Sequence, residues 1–207
     1  VGFYQATGGT DYYTNRGAGT SPYESTLVDN RPTGTDIIAL QYAGSQTLSF
    51  TEAIANPVFA FVSLNFNGYG FDQDFEILSV GGEGGNACGY WGCGGITKSI
   101  VDLGVGRFEY QLNASNVGGS EPHGTIRFLG AFSTLTWRSQ SNEYWNGFTV
   151  GVQGTAAEVP PCDIDPTGEG CNNPPPPPPP TSVPEPGTLA LFGLGLLGLG
   201  LTRRRLL

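Results

Sequence analysis

Seven runs of alternating or continuous apolar residues, each closed by glycine, proline, asparagine or serine clusters, limit what this chain can fold into. They are DIIALQY (36–42), TLSF (47–50), PVFAFVSLNF (57–66), DFEILSV (74–80), GRFEYQL (106–112), GTIRFLGAFSTLTW (124–137) and GFTVGVQ (147–153). A period of two places successive side chains on opposite faces of a strand, and short strands spaced by turn residues suit an all-β sandwich. The 33 glycines, 16 prolines and only 13% charged residues point the same way, because long surface helices need charged residues and few breakers. The expectation is a single antiparallel β-sandwich, jelly-roll-like, over residues 1–154. Only TEAIAN (51–56) hints at a helical turn.

The alternation also sorts side chains by face. Phe75, Ile77 and Ser79 share one face of their run, with Asp74, Glu76, Leu78 and Val80 on the other. Ile126, Phe128, Gly130 and Phe132 are expected along one side of a single long strand. The run around Phe59 and Phe61 is apolar on both faces, as for a central strand covered from both sides, and Trp137 reads as core.

After Gly154 the periodicity stops. Residues 155–182 read as a proline-rich linker in which Pro174 to Pro180 are unbroken proline. Such a run lacks amide donors and adopts polyproline II at about 3.1 Å per residue, a rod of roughly 20 Å. Residues 183–207 then supply an uncharged Leu/Gly segment of roughly 16 residues, about 24 Å as a helix, enough to cross a locally thinned bilayer. Arg203, Arg204 and Arg205 behind it act as a stop-transfer cluster that keeps the C-terminus cytoplasmic and the body outside.

Charge narrows the partners. Up to Pro180 there are 6 basic and 17 acidic residues, a net charge of −11, which repels a phosphate backbone and excludes nucleic acid as a partner. Methionine is absent, so an N-terminal piece lost through processing or trimming, foremost an export signal peptide, is expected. In an exported chain the close pairs Cys88 with Cys93 and Cys162 with Cys171 read as local disulfides. Their spacings fit no common zinc module.

The C-terminal string VPEPGTLALFGLGLLGLGLTRRR resembles the PEP-CTERM sorting signal of exported bacterial proteins: the motif Val183, Pro184, Glu185, Pro186, then a short transmembrane helix, then arginines. That resemblance implies recognition and cleavage near Pro184 to Pro186 by an exosortase-type membrane transpeptidase, whose own cysteine performs the reaction. It further implies transient residence in the inner membrane of a Gram-negative-type bacterium, then delivery to the cell surface or an exopolysaccharide matrix. NPVFAFVSLN, FEILS, GYWG, HGTIRFLGAFSTLTW and NEYWNGFTVGVQ, within residues 56–153, are similar to passenger domains of that family, which generally carry no assigned activity. The expected role is therefore structural or adhesive within a biofilm matrix, with no enzyme activity and no cofactor.

Asp163, Asp165 and Thr167 occupy the first, third and fifth positions of a calcium loop, but Pro174 at the twelfth cannot supply the bidentate carboxylate, so an acidic disulfide-closed linker loop is expected. Asp72, Asp74 and Glu76 fall two apart and could serve glycoside hydrolysis, although acidic residues on a solvent-facing strand are routine. His123, the single histidine, has Ser120 and Glu121 beside it, yet sequence neighbours seldom make a triad; a structural histidine is expected. Trp91, Tyr144 and Trp145 sit in loop-like contexts among asparagines and Glu143, where aromatic faces and amides can hold a sugar ring. The rival functions are accordingly a carbohydrate-binding module or a secreted carbohydrate-active enzyme.

Overall fold

The computed structural model describes residues 3–6, 10–32, 36–115 and 120–166. Its strands are β1 (Phe3–Ala6), β2 (Asp36–Leu40), β3 (Gly44–Ala55), β4 (Val58–Val62), β5 (Gly68–Phe71), β6 (Phe75–Val80), β7 (Ile96–Gly104), β8 (Arg107–Ala114), β9 (Gly124–Phe128), β10 (Ala131–Ser139), β11 (Asn146–Gly151) and β12 (Gly154–Thr155), followed by the one-turn helix α1 (Pro161–Ile164). They form two six-stranded sheets, ordered β1-β2-β11-β4-β9-β6 and β12-β3-β10-β5-β8-β7, and every pairing is antiparallel. The expected all-β class holds.

Both sheets contribute to one buried cluster: Leu40, Phe59, Phe61, Phe75, Ile126, Phe128 and Phe148 from the first, Tyr69, Phe71, Leu112, Leu135 and Trp137 from the second. Phe59 lies at its centre, stacked on Phe148 at 4.3 Å and edge-on to Phe128 at 4.9 Å. The second face of β4 is covered too. Tyr13 and Tyr23, from the long connection between β1 and β2, pack on Ile37, Ala39, Ala60 and Val62. That covering is why β4 reads as a nearly continuous apolar run rather than a clean alternation.

Several expectations are corrected. TEAIAN is not a helical turn: β3 runs through it, with Ala131 opposite Ala55 and Phe132 opposite Ile54. A single helical turn is a costly nucleus, and pairing on both sides of the strand outweighs it. Residues 124–137 are two strands in different sheets, broken where Gly130 takes φ +116°, a conformation glycine adopts without steric penalty. The 57–66 run stops at Val62, because Ser63 and Phe66 take left-handed φ values of 61° and 51°. In β6 a register irregularity between Ile77 and Ser79 flips the phase. Ser79 therefore leaves the face of Phe75 and Ile77 and donates to the carbonyl of Pro22.

The chain divides into two units, residues 1–172 and 173–207, the second lying outside the described residues. The start of the expected linker belongs to the first unit. Thr155 pairs with Ile54, the amide of Ala156 donates to the Ala53 carbonyl at 2.7 Å, and Val159 is buried. Among the described residues no helix is long and apolar enough to cross a membrane. The segment expected to do so, with Arg203 to Arg205 and the Pro174 to Pro180 rod, lies outside them.

Candidate functional site

A six-residue turn holds the first wall of the site. Cys88 and Cys93 form a disulfide with Cα atoms 4.7 Å apart. Inside it Gly89 and Gly92 exchange both backbone hydrogen bonds, at 2.9 and 3.0 Å, so Tyr90 and Trp91 stand at the tip of a stapled hairpin. Gly89 is required by close approach: a Cβ there would sit 2.3 Å from the ring of His123.

His123 is fully buried behind that tip. Its Nδ1 lies 2.9 Å from the Tyr23 hydroxyl, and its Nε2 accepts from the Trp91 amide at 3.4 Å. The acceptor role of Nε2 assigns the proton to Nδ1, which donates to Tyr23, whose own hydroxyl donates to the Tyr12 carbonyl at 3.5 Å. Burial pushes the His123 pKa down to about 3, so the ring is neutral across ordinary pH. The histidine thus ties two wall residues, Tyr12 and Trp91, from behind. It bonds neither Ser120 nor Glu121, and the structural reading of His123 is the one the geometry supports.

In front of this clamp, Tyr12 stacks on Trp91 at 4.9 Å, and Trp145, just before β11, closes the triangle at 5.2 Å from Tyr12 and 5.3 Å from Trp91. The three rings border an open pocket of about 540 Å³, with Tyr144 and Phe66 at its edge and Ser63, Asn65, Glu121, Asn142 and Glu143 supplying polar atoms. Tyr144 is 92% exposed, so it packs on nothing substantial.

Two carboxylates converge here from distant parts of the sequence. Glu121 Oε2 lies 2.5 Å from Ser63 Oγ, which is 3.2 Å from the Trp145 carbonyl. Glu143 Oε1 accepts from the Asn65 amide at 2.9 Å, while its Oε2 accepts from Asn146 Nδ2 at 2.9 Å and Asn67 Nδ2 at 3.3 Å. The left-handed residues Ser63 and Phe66 turn the β4–β5 connection so that these donors face the pocket. Burial raises the Glu143 pKa to about 7, aided by the negative charge of Glu121 and opposed by the three hydrogen bonds. The pocket therefore holds an aromatic wall, amide donors and acceptors, and two acids, one of them with its proton affinity raised by burial.

Trp91, Tyr144 and Trp145 are thus brought together as one site. Tyr12, Ser63, Asn65 and the pairing of Glu121 with Glu143 were not found from sequence: Tyr12, Glu121 and Glu143 come from loops with no local periodicity, and Ser63 and Asn65 lie in the 57–66 run that reads as strand. The acidic strand candidates lie elsewhere, on structural partners. Asp74 pairs with Lys98, Glu76 pairs with Arg127 at 2.5 Å, and Asp72 accepts from the Thr136 amide at 3.1 Å. Asp163 falls in α1 and its carbonyl accepts from Asn56 Nδ2 at 2.6 Å, while Asp165 caps α1 through its amide. Among the described residues no group of three or more His, Cys, Asp or Glu is placed to hold a metal ion. Cys162 is disulfide-bonded. Thr167, Cys171 and the motif Val183 to Pro186 lie outside the described residues.

Fold and site together define the class: an all-β protein of two antiparallel sheets whose end loops build an aromatic, acidic pocket. A family model, the PEP-CTERM protein-sorting motif, matches residues 182–205. The chain thus carries an exosortase-dependent sorting signal, the mark of an exported protein that passes through the membrane to the cell surface. No curated protein and no solved structure matches the chain.

Proposed function

We propose that the exported body works at the cell surface or in the extracellular matrix as an adhesive protein that holds polysaccharide in the pocket of Tyr12, Trp91 and Trp145. The observation that carries this reading is the pocket itself. Ring faces next to amide and carboxylate groups offer both surfaces a sugar presents, its apolar C–H face and its hydroxyl rim. The mouth is open and Tyr144 stands free at it, which suits a polymer better than a small enclosed ligand. We assign the body to the jelly-roll class: β2-β11-β4-β9 faces β3-β10-β5-β8, with β6 and β7 added at one edge of each sheet. Lectin domains use that architecture, an argument by fold analogy alone.

The test is titration of the purified body with exopolysaccharide from its host, followed by tryptophan fluorescence and calorimetry. Saturable binding that Trp91→Ala and Trp145→Ala each weaken at least tenfold supports adhesion through this pocket. Binding equal in wild type and both variants, or no binding, refutes it.

A second reading is glycoside hydrolysis, favoured by one observation: Glu121 and Glu143 share the pocket, and the raised pKa of Glu143 suits a general acid. Release of reducing sugar from host polysaccharide, abolished in Glu143→Gln, would support it. Equal background in both proteins leaves the binding role alone.

A further inference from the structure

Resting on the glycan-binding reading, we propose that this pocket selects polysaccharide carrying free, protonated amino groups over neutral or anionic chains. Among the described residues ten line it, of which two are glutamates and none is lysine, arginine or histidine. The polar lining is thus suited to positive charge or neutral hydroxyls and offers a uronate or sulfate no cationic side chain. The two acids come from separate loops, one before β9 and one before β11, and each is fixed by donors that aim its oxygens: Ser63 for Glu121, and the Asn65 amide, Asn67 and Asn146 for Glu143.

The aromatic wall adds a second, independent preference. Trp91, Trp145 and Tyr12 present indole and phenol faces, whose quadrupoles attract a cation. An ammonium group on a pyranose ring meets both kinds of partner at once, carboxylate oxygen on one side and ring face on the other. An acetylated amine loses the charge and fills the space with an amide. The body's charge of −11 up to Pro180 extends the same bias to long range, drawing a polycation in and turning a polyanion away. Arg31, Lys98, Arg127 and Arg138 are paired with Asp11, Asp74, Glu76 and Glu109, all outside the pocket.

The experiment is calorimetric titration with three oligosaccharides of equal length: a fully deacetylated β-1,4-glucosamine oligomer, its fully N-acetylated counterpart, and an oligouronate. At about pH 6 the amines are charged, while Glu143, its pKa raised to about 7, keeps its proton in most copies until a bound ammonium draws it off. The expected result is affinity for the amino-oligomer at least tenfold above either of the others, falling about tenfold in Glu121→Gln, a change of about 1.4 kcal/mol. Trp91→Ala, which keeps the whole acidic surface, must lose the same ligand. Retained affinity in that variant would place the polycation elsewhere on the acidic body and overturn the proposal. Equal or tighter binding of the acetylated or anionic oligomer also overturns it, while leaving glycan binding in place. Binding of none of the three, with host polysaccharide failing too, removes both readings. Should Glu121→Gln fail to fold, as judged by its thermal transition, the three-ligand comparison on the unaltered protein still decides.

Discussion

Protonating His123 should dismantle the back of the pocket and take much of the body's stability with it. The ring is fully buried, and its Nε2 lone pair accepts from the Trp91 amide while Nδ1–H donates to Tyr23. A second proton would have to enter at Nε2, breaking the first bond and placing a cation where no carboxylate bonds the ring. Folding lowers the pKa from 6.5 to about 3. The unfolded chain therefore binds the proton first, and the stability contributed by the neutral ring is complete above about pH 6.5 and is lost as pH falls toward 3. At about 1.36 kcal/mol per unit, a shift of this size is worth at most about 5 kcal/mol. That is a large part of the roughly 5–15 kcal/mol holding a typical domain together. Because His123 is the chain's single histidine, a long-range nitrogen–proton NMR titration reads one ring without ambiguity. The neutral Nδ1–H tautomer should persist below pH 5, and denaturant unfolding of wild type minus His123→Gln should show a positive slope of stability with pH between about 3.5 and 6.5. A ring titrating near 6.5 in the folded protein, or identical slopes in the two proteins, would refute the reasoning.

Glu143 works in the opposite direction: its pKa is raised from 4.5 to about 7, so wild type should lose stability as pH climbs from about 4.5 to 7. Glu143→Gln should flatten that limb, although its amide nitrogen takes the place of one acceptor oxygen before Asn65, Asn67 or Asn146; a urea-derived stability that still falls between about pH 4.5 and 7 as in wild type would count against it. Phe59→Ala removes a ring in contact with Phe71, Phe128, Trp137 and Phe148, and should cost about 3–5 kcal/mol in chemical denaturation. Opening the Cys88–Cys93 loop by a double serine substitution should cost about 2 kcal/mol by chain entropy and weaken glycan binding through loss of the Trp91 position. Glu185→Ala in the host should leave protein in the membrane fraction that keeps the Leu/Gly segment and Arg203 to Arg205 by mass spectrometry, whereas wild type recovered from the surface should lack them.

The class of fold and the address were legible because both are written locally. A two-residue period is imposed by the pleat of one strand, whatever that strand pairs with, so β2, part of β3, β4, β6, β8, β9, β10 and β11 could each be found in outline. The missed strands fail that rule for physical reasons. β5 is GYGF, half glycine, and β7 is ITKSIVDLG at a sheet edge, mostly solvent-exposed and under little demand to alternate. Boundaries failed where a backbone torsion decided the matter, at Ser63, Phe66 and Gly130. The pocket was legible only in fragments. Trp91, Tyr144 and Trp145 stood out as aromatics in loops, but nothing in their neighbourhoods pointed to Tyr12, some eighty residues from Trp91 in the chain.

The sequence alone determined the tail. A sorting signal is read in extended or membrane-spanning form, so order and spacing of Val183 to Pro186, an uncharged stretch and Arg203 to Arg205 carry its full meaning without any tertiary partner. The tertiary structure decided what Glu143 and His123 are. A carboxylate or imidazole has no fixed role until burial and neighbours set its proton affinity, and those neighbours arrive from β4, β5, β11 and the β1–β2 connection only when two sheets close on one core.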